Sequence, residues 1–243
     1  MIKDSLNKKS VLITGCSSGI GLEVAEGLTR LGYRVFATVR QKKDVEILNN
    51  KGLESLYLDL NESSSIQSAM EEVLRRTGGT LYALFNNGGY GQPGAIEDLS
   101  REAIRIQFET NLFGAMELIN HVIPVMRKQG YGRIIQNSSV LGFVALPYRG
   151  AYISSKFALE GLTDTLRLEL ANTPIHVSLI EPGPISTRYK INSLKFFRKY
   201  INMGNSPHSG SYKFLVDRLT STESKLTFTL HPSKVLIKVV HAL

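Results

Sequence analysis

A tyrosine and a lysine four residues apart, Tyr152 and Lys156, are the two side chains of this sequence best suited to proton transfer. They lie near the start of a segment with helical apolar spacing, so both leave the same face of the predicted helix. An unperturbed tyrosine titrates near ~10, and a neighbouring ammonium group favours its phenolate form. The pair therefore predicts a tyrosine of lowered pKa that acts as a general acid and base, with an ordinary surface pair as the alternative.

Two serines, Ser138 and Ser139, end the strand-like run that precedes this helix. The carboxyl ends of parallel strands meet at one edge of a sheet, where doubly wound folds bind their ligands. A hydroxyl at this edge is suited to hydrogen-bond a substrate carbonyl. The alternative is that a serine at this place caps a turn or a helix.

The stretch TGCSSGIG at residues 14–21 joins the apolar run at 11–13 to a segment with helical spacing. A strand, a glycine turn and a helix N-terminus in succession direct backbone N–H groups at one spot, which suits a dinucleotide pyrophosphate. Gly15 is expected to permit the turn, Gly19 the close approach of phosphate, and Gly21 the packing of helix on strand. The alternative is a tight turn without a ligand, whereas a P-loop is excluded because no Gly-Lys-Ser/Thr follows.

Strand-like and helical runs that alternate from residue 10 to about 181 must position these groups. Six strands are predicted, at Val11–Thr14, Arg34–Val39, Leu53–Leu58, Leu81–Phe85, Arg133–Asn137 and His176–Ile180. Helices are predicted between them, at 19–31, 42–50, 63–76, 101–127 and 150–171. This order predicts one α/β domain over residues 1–243, a Rossmann-like doubly wound parallel sheet within a three-layer α/β/α sandwich.

The alternation stops after Thr187, and residues 188–230 are rich in Lys, Ser, Asn and aromatic residues. A long irregular insertion of this kind is usually functional or mobile, so we expect a substrate lid within the domain. A final helix follows, with Ser233 as its expected cap. Its apolar face is predicted to hold Val235, Leu236, Val239, Val240 and Leu243.

Composition limits the function. The chain of 243 residues suits one sizeable core, and its formal charge is +8. Lys and Arg are scattered among acids for most of the length, which argues against a nucleic-acid partner. The densest basic stretch, Lys190–Lys199, is expected to be a solvated lid face, with a membrane surface or an anionic substrate as alternatives.

Cys16 is the single cysteine, so the chain forms no internal disulfide, and we expect no metal site. The polar start MIKDSLNKKS lacks the apolar stretch of a signal peptide, and no run approaches the ~18 apolar residues of a membrane span. We therefore expect a cytoplasmic protein without integral membrane contact.

Six motifs occur in an order and spacing that, taken together, resemble the short-chain dehydrogenase/reductase family in its compact single-domain branch. Within that branch the chain is similar to 17β-hydroxysteroid and retinol dehydrogenases and to bacterial NADP-dependent aldehyde reductases. The resemblance covers roughly residues 9–190 and the final helix. The motifs are TGCSSGIG, NNGG at 86–89, Asn111 within TNLFGAMEL, NSS at 137–139, YISSK at 152–156 and EPGPIST at 181–187.

The resemblance implies four catalytic residues. Tyr152 would exchange the proton at the reacting oxygen, and Lys156 would lower the tyrosine pKa and bond the nicotinamide ribose. Ser139 would hold the substrate oxygen, which leaves Ser138 structural. Asn111 would interrupt its helix and fix a water that joins Lys156 to a proton relay.

It also implies a cofactor groove, with Asn87 bracing the strands beneath it. Asp59 and Leu60 would meet the adenine, Asn86 and Gly88 would line the adenosine side, and the segment after the sixth strand would set the nicotinamide face. The full set of expected contacts is Gly15, Ser17, Ser18, Gly19, Ile20, Gly21, Arg40, Asp59, Leu60, Asn86, Gly88, Tyr152, Lys156, Pro182, Gly183, Ile185 and Thr187.

The cofactor is expected to be NADP(H). An acidic residue at the end of the second strand would hydrogen-bond the ribose 2′-hydroxyl of NAD, but the residues here are Thr38, Val39 and Arg40. A guanidinium can hold a phosphate by two parallel bonds. The alternative is that Arg40 is a solvated charge at a strand end.

Two departures from the family pattern bear on these expectations. The family usually has Ala where this chain has Gly88, and relatives continue beyond the last helix with a further edge strand and part of the substrate pocket. We therefore expect a sheet without that last strand. The alternative function is a truncated or catalytically impaired NADP(H)-binding pseudoenzyme or sensor.

The expected reaction is hydride transfer that interconverts an aldehyde or ketone and an alcohol on an apolar small molecule. A nucleotide-sugar epimerase or dehydratase is disfavoured by the glycine spacing, and a methyltransferase leaves YxxxK unexplained. By resemblance, helices 101–127 and 150–171 would form a homodimer or homotetramer. The apolar wall of the pocket is expected to include Leu141, Phe143, Val144, Leu146, Tyr189, Phe196, Phe197 and Phe214, several of which have core packing as the alternative.

Overall fold

The computed structural model describes residues 9–221 and 228–243. Its strands are β1 (Ser10–Ile13), β2 (Arg34–Val39), β3 (Glu54–Tyr57), β4 (Ala83–Asn86), β5 (Gly132–Asn137) and β6 (Ile175–Ile180). Every neighbouring pair is parallel, and the order across the sheet is β3-β2-β1-β4-β5-β6. The order reverses between β1 and β4, which is where doubly wound sheets open a ligand crevice.

Nine α-helices accompany these strands in the part of the chain that the structure describes. They are α1 (Gly19–Arg30), α2 (Lys42–Asn50), α3 (Ser63–Thr77), α4 (Arg101–Phe108), α5 (Gly114–Gln129), α6 (Gly150–Glu169), α7 (Tyr189–Tyr200), α8 (Ser209–Thr220) and α9 (Ser233–Ala242). A π-helical turn, Glu109–Phe113, joins α4 to α5. None of these helices is long and apolar enough to cross a lipid bilayer.

The sheet is buried on both faces because its strands are apolar at successive positions. In β1, Leu12 lies in one core cluster, whereas Val11 and Ile13 lie in the other. Neighbouring residues of a strand point to opposite faces, so helices must cover both. The predicted fold class, one six-stranded parallel sheet flanked by helices, is confirmed.

The expectation of an irregular stretch at 188–230 is wrong for most of its length. Residues 189–200 and 209–220 are the helices α7 and α8, which pack on a third core cluster through Phe197, Tyr212 and Ile201. Lysines and serines between the apolar residues conceal the helical period. The structure does not describe residues 222–227 of the expected lid, nor residues 1–8 of the polar start.

The final helix is present, but its cap differs from the prediction. Ser233 is the first helical residue of α9 and Pro232 precedes it as the N-cap. Val235 and Val239 are buried, whereas Val240 is 38% exposed, so the buried face is narrower than expected. The helix packs on α1, where a Cβ on Gly27 would overlap Leu236.

Candidate active site

The glycine turn lies between β1 and α1 and packs closely against the loop that follows β4. Gly15 has φ +74°, and a Cβ there would lie 2.9 Å from the Cα of Gly88. The N–H of Cys16 donates to the carbonyl of Thr38 over 2.8 Å, which anchors the turn to β2. The Cys16 thiol is buried, and that burial raises its pKa, so it packs in the core and is not positioned for chemistry.

The N-terminus of α1 has the character of an anion site. Its N-cap, Ser18, makes no side-chain capping bond, and the first N–H groups of a helix lack intrahelical partners. Gly19 has φ +62°, and a Cβ there would lie 3.0 Å from Cγ2 of Thr187. A side chain would therefore fill the space between this terminus and the segment after β6. The cradle suits a phosphate group.

Gly21 has a different role from the expected one. A Cβ on Gly21 would overlap the carbonyl oxygen of Gly15 and lie 2.7 Å from Nδ2 of Asn87. Gly21 therefore lets α1 approach the turn itself and the end of β4, whereas packing of the helix on the strand was expected.

A series of hydrogen bonds joins the lysine to the glycine turn across β5, β4 and β1. Nζ of Lys156 donates to the carbonyl of Asn137 over 2.7 Å, and Nδ2 of Asn137 donates to Oδ1 of Asn87 over 3.0 Å. Nδ2 of Asn87 then donates to the carbonyl of Thr14 over 2.8 Å. The predicted bracing role of Asn87 is confirmed. These bonds fix the position of the lysine relative to the turn.

Asn111 lies in the π-helical turn and is 2% exposed. Its Oδ1 accepts from the N–H of Tyr90 over 3.1 Å, and its Nδ2 donates to the Tyr90 carbonyl over 2.9 Å. Nδ2 also donates to Oγ of Ser155 over 3.2 Å, and that hydroxyl donates to the carbonyl of Tyr152 over 2.7 Å. The helix is interrupted at the expected residue, and Asn111 connects the loop after β4 to α6.

The pKa of Tyr152 moves in the direction opposite to the prediction. Burial raises the pKa of the phenol, the nearby phenol of Tyr189 raises it further, and Ser139 and the positive charge of Arg149 oppose these effects. Nζ of Lys156 lies 5.8 Å from the centre of the tyrosine ring, with its hydrogen bond directed at Asn137. Desolvation outweighs the nearby cations, so the phenol is protonated at neutral pH.

Lys156 is buried, and burial lowers its pKa to about 8. The carboxylate of Glu160, one turn further along α6, opposes this shift. A Cβ on Gly142 would lie 2.7 Å from Oε1 of Glu160 and 2.9 Å from Oγ of Ser138, so these two groups lie together next to Gly142. Glu160 therefore helps to keep the lysine charged.

Ser139 takes the capping role considered from the sequence and also lies beside Tyr152. Its Oγ accepts from the N–H of Leu141 over 3.1 Å and caps a short 3₁₀ helix, Val140–Gly142. The same hydroxyl lies close enough to Tyr152 to favour the phenolate. Capping leaves the hydroxyl hydrogen free for another acceptor.

The remaining cofactor residues lie at the carboxyl edge of the sheet. Arg40 follows β2 and is exposed, and Asp59 follows β3, where its Oδ1 accepts from the N–H of Asn61 over 3.0 Å. Asn86 ends β4, and its Nδ2 donates to the carbonyl of Ala115 over 3.0 Å. The segment after β6 contributes the half-buried Pro182, Ile185 and Thr187 and the exposed Gly183.

Leu60 occupies a core position beside the groove. It is 8% exposed, and a Cβ on Gly88 would lie 2.8 Å from its Cδ1. The leucine methyl takes the space that an alanine at position 88 would use, which accounts for the departure of Gly88 from the family pattern. Ser17 and Ser18 lie between Cys16 and α1, and Ile20 lies in the first turn of α1.

Only part of the expected apolar wall faces Tyr152. The Tyr189 ring meets the Tyr152 ring edge to face, with 5.8 Å between centres, and Phe196 stacks on Tyr90 with 3.8 Å between centres. Phe197 is 1% exposed in the third core cluster, which is the core alternative considered from the sequence, and Phe214 is 78% exposed. Leu141 is half-buried, whereas Phe143, Val144 and Leu146 are exposed.

Sequence reasoning missed several residues of this site. Asn137 had a visible signal, an amide at a strand end beside the two serines, and Ser155 lies inside the YISSK motif. Glu160 also had a signal, because it lies four residues after Lys156 on the same predicted helix. Tyr90 had none, because only a tertiary contact brings it to Asn111.

Comparison with known proteins shows which family this chain is similar to. Residues 9–195 match the family model described as short chain dehydrogenase. An uncharacterized oxidoreductase of Escherichia coli K12, YbbO, is 43% identical over 235 residues, which cover 97% of this chain and 81% of that protein. Retinol dehydrogenase 8 of Bos taurus is 36% identical over 214 residues, covering 84% of this chain and 68% of that protein.

Among solved structures, a mutant actinorhodin polyketide ketoreductase crystallised with NADPH superposes with a TM-score of 0.78 at 27% identity. The match covers 97% of this chain and 90% of that one.

Proposed function

Since this chain belongs to the short-chain dehydrogenase family, an oxidoreductase family that binds a nicotinamide cofactor, we propose that it uses NADP(H) to interconvert carbonyls and alcohols on apolar molecules. The observation that carries the proposal is the convergence of Tyr152, Lys156 and Ser139 beside the glycine turn. The proposed catalytic set is completed by Asn111.

Tyr152 would deliver the proton in carbonyl reduction. Burial keeps the phenol protonated, which is the form a proton donor needs. Ser139 would donate a hydrogen bond to the same carbonyl oxygen and stabilise its developing charge. Lys156 would stabilise the phenolate that remains, because a buried cation acts strongly on a nearby anion. When bound, the reduced nicotinamide supplies the hydride.

Arg40 supports the choice of NADP(H). The guanidinium is exposed at the end of β2, and it forms no ion pair with a carboxylate of residues 9–221 or 228–243. A free guanidinium at this place suits a 2′-phosphate. The glycine turn and the N-terminus of α1 would hold the pyrophosphate.

An apolar substrate is supported by the aromatic surroundings of Tyr152. Tyr189 lies against its ring, and Phe196 and Tyr90 form a stacked pair nearby. The similar bovine protein named a retinol dehydrogenase acts, by that name, on an apolar alcohol.

We propose residues 188–230 as the substrate lid within a single domain of residues 1–243.

The proposal extends to assembly and location. Three large apolar side chains are each more than a third exposed: Phe113 in the π turn, Met116 on α5 and Phe157 on α6. Their exposure supports a homodimer or homotetramer built on these helices. One buried cysteine fits a reducing compartment such as the cytoplasm.

The test is an absorbance assay of NADPH and NADH oxidation with a panel of aldehydes and ketones of increasing chain length. We expect turnover with NADPH that improves as the substrate becomes more apolar. NADPH binding without oxidation of any panel member would instead indicate the sensor alternative, and equal rates with NADH would contradict the assigned cofactor.

A further inference from the structure

The positive charge of this chain is concentrated on the lid. Residues 188–230 hold eight of the 29 Lys and Arg residues but only two of the 21 acids, so they carry six of the eight net positive charges. No Lys or Arg in the described part of the lid forms an ion pair with a carboxylate of residues 9–221 or 228–243. These cations are therefore available to a partner.

The outward face of α7 presents these cations together. Asn192, Lys195, Arg198 and Lys199 are exposed, and so is Ile191 at 65%. Their spacing places them on one side of the helix, opposite Ser193 and Phe197, which are buried. This face contains no acid. Three cations and the exposed side chain of Ile191 therefore lie on the same face of α7.

Exposed apolar side chains also occur on α8 and in the loop after Ser139. Phe214 on α8 is 78% exposed, and it neighbours Lys213 and Arg218, which are also exposed. In the loop after Ser139, three apolar residues are exposed by 45–60%: Phe143, Val144 and Leu146. The loop borders Tyr152 because it follows Ser139, and α7 borders it because Tyr189 packs against the Tyr152 ring. The helix α8 packs on α7 through Tyr212 and Phe197.

We propose that this rim, defined as the outward faces of α7 and α8 with residues 143–146, docks on an anionic lipid surface. The cations would contact lipid phosphates while the apolar side chains enter the acyl boundary. The inference rests on the proposed apolar substrate, which would then enter the site from the lipid phase. It departs from the expectation that the basic stretch is only solvated.

The mixture of residue types favours lipid over an acidic protein. A partner recognised by charge alone would leave Phe214, Ile191 and Phe143 in water, and monomeric proteins rarely expose clustered apolar side chains without a function. A lipid surface accepts both kinds of contact at once. It also matches a site whose substrate is poorly soluble in water.

The experiment is co-sedimentation of the full chain with vesicles of phosphatidylcholine mixed with phosphatidylglycerol, and with vesicles of phosphatidylcholine alone. We expect partition onto the anionic vesicles that declines as salt is added. Each cation near an anionic surface strengthens binding about fivefold, so the double variant Lys195→Gln with Arg198→Gln should bind about 30-fold more weakly. Phe214→Ser should weaken binding by about tenfold.

Matched controls lie at the opposite edge of the sheet. Arg127 and Lys128 are exposed in the last turn of α5, and Leu31 is 59% exposed where α1 ends. Arg127→Gln with Lys128→Gln, and Leu31→Ser, should leave vesicle binding unchanged. Equal losses in lid and control variants, or equal binding to both vesicle types, would overturn the proposal.

Two further measurements separate loss of lipid docking from loss of the proposed reaction, and a lipid surface from a protein partner. The lid double variant should keep its turnover of a water-soluble aldehyde, so loss of docking is distinguishable from loss of the proposed reaction. Absence of vesicle binding together with charge-dependent capture of an acidic protein would reject the lipid surface in favour of a protein partner.

Discussion

The floor of the site and its lid are held by different kinds of contact. On the floor, buried and partly buried hydrogen bonds connect Lys156 on α6 to Asn137, Asn87 and Thr14, which lie in or beside the sheet. The lid is attached by aromatic packing and by a small polar cluster in which Tyr212 and Ser206 donate to Asp98. The floor is therefore rigid, and the lid depends on a few side chains.

A second contact holds the lid at its edge. Nε2 of His208 lies 2.6 Å from Oε1 of Glu97, and the His208 ring packs edge to face against Tyr148, whose φ is +62°. An exposed pair of this kind contributes little stability. Changes on the floor should therefore alter the rate of chemistry, whereas changes at the lid should alter substrate capture and stability.

Tyr152→Phe should have the largest effect. Removing a general acid lowers turnover by about 10²–10⁴-fold, while NADPH binding should persist because the cofactor turn is intact. Steady-state rates and a fluorescence titration of NADPH measure the two quantities. Tyr189→Phe is the matched control, a half-buried phenol beside the first that should change kcat by less than about tenfold. Comparable losses in both variants would remove the distinction between floor and lid.

Arg40→Asp should reverse the cofactor preference. A carboxylate at this place repels a 2′-phosphate and can accept a hydrogen bond from a ribose hydroxyl, so kcat/KM with NADPH should fall by about 100-fold relative to NADH, equivalent to about two charge-assisted bonds. Paired assays with both cofactors give the ratio. Arg30→Asp, an exposed arginine in the last turn of α1, should leave the ratio unchanged. An unaltered ratio in Arg40→Asp would show that Arg40 is a solvated charge.

Tyr212→Phe tests the lid. The Tyr212 hydroxyl accepts from the N–H of Ala95 over 2.9 Å and donates to Asp98. Its removal leaves the buried Ala95 N–H unpaired, while Asp98 keeps Ser206 as a donor. We expect a loss of about 1–3 kcal/mol in the free energy of unfolding, measured by urea titration. The KM for an apolar substrate should rise, with kcat nearly constant. Tyr131→Phe, at a ring 43% exposed, should change neither quantity. A fall in kcat with Tyr212→Phe would contradict the assignment of this residue to substrate capture and stability alone.

Glu160→Gln should give the smallest effect, a shift in pH dependence. Burial lowers the pKa of Lys156 to about 8 and the Glu160 carboxylate opposes this, so reduction should decline as pH rises through about 8 and the lysine loses its proton. Without the carboxylate, that decline should move to lower pH. The kcat/KM profile measures it. Asp164→Asn, an exposed acid one turn further along α6 that pairs with Arg167, should leave the profile in place.

The pKa of Lys156 also has a consequence for stability. A lysine whose pKa is lower in the folded state than in the unfolded state binds fewer protons when folded, so stability should rise as pH increases between about 8 and its ordinary value of 10.5. Activity and stability should thus change in opposite directions over this range.

Much of the floor could be predicted from the sequence because its signals are local. The run Val11–Ile13 with the glycine turn predicts β1 and the phosphate cradle, and the four-residue spacing of Tyr152 and Lys156 predicts their shared face on α6. Both follow from backbone geometry within a few residues. The alternation of elements then predicts parallel strands, whereas the strand order β3-β2-β1-β4-β5-β6 came from the structure.

The lid was predicted less well because its helices are mixed in composition. Only the packing of Phe197 and Tyr212 into a common cluster shows which face of α7 and α8 is buried. The contact of Asn111 with Tyr90 was also beyond the sequence, because the two residues lie in different segments.

Residue type and local spacing were enough to predict the order of elements, the glycine turn and the shared helix face of Tyr152 and Lys156. The fold sets the direction of the Tyr152 pKa and connects Lys156 to the turn through Asn137 and Asn87. Burial and cross-strand hydrogen bonds arise from residues distant in the chain, and desolvation in the folded site outweighs the effect of a neighbouring charge that the spacing alone suggests.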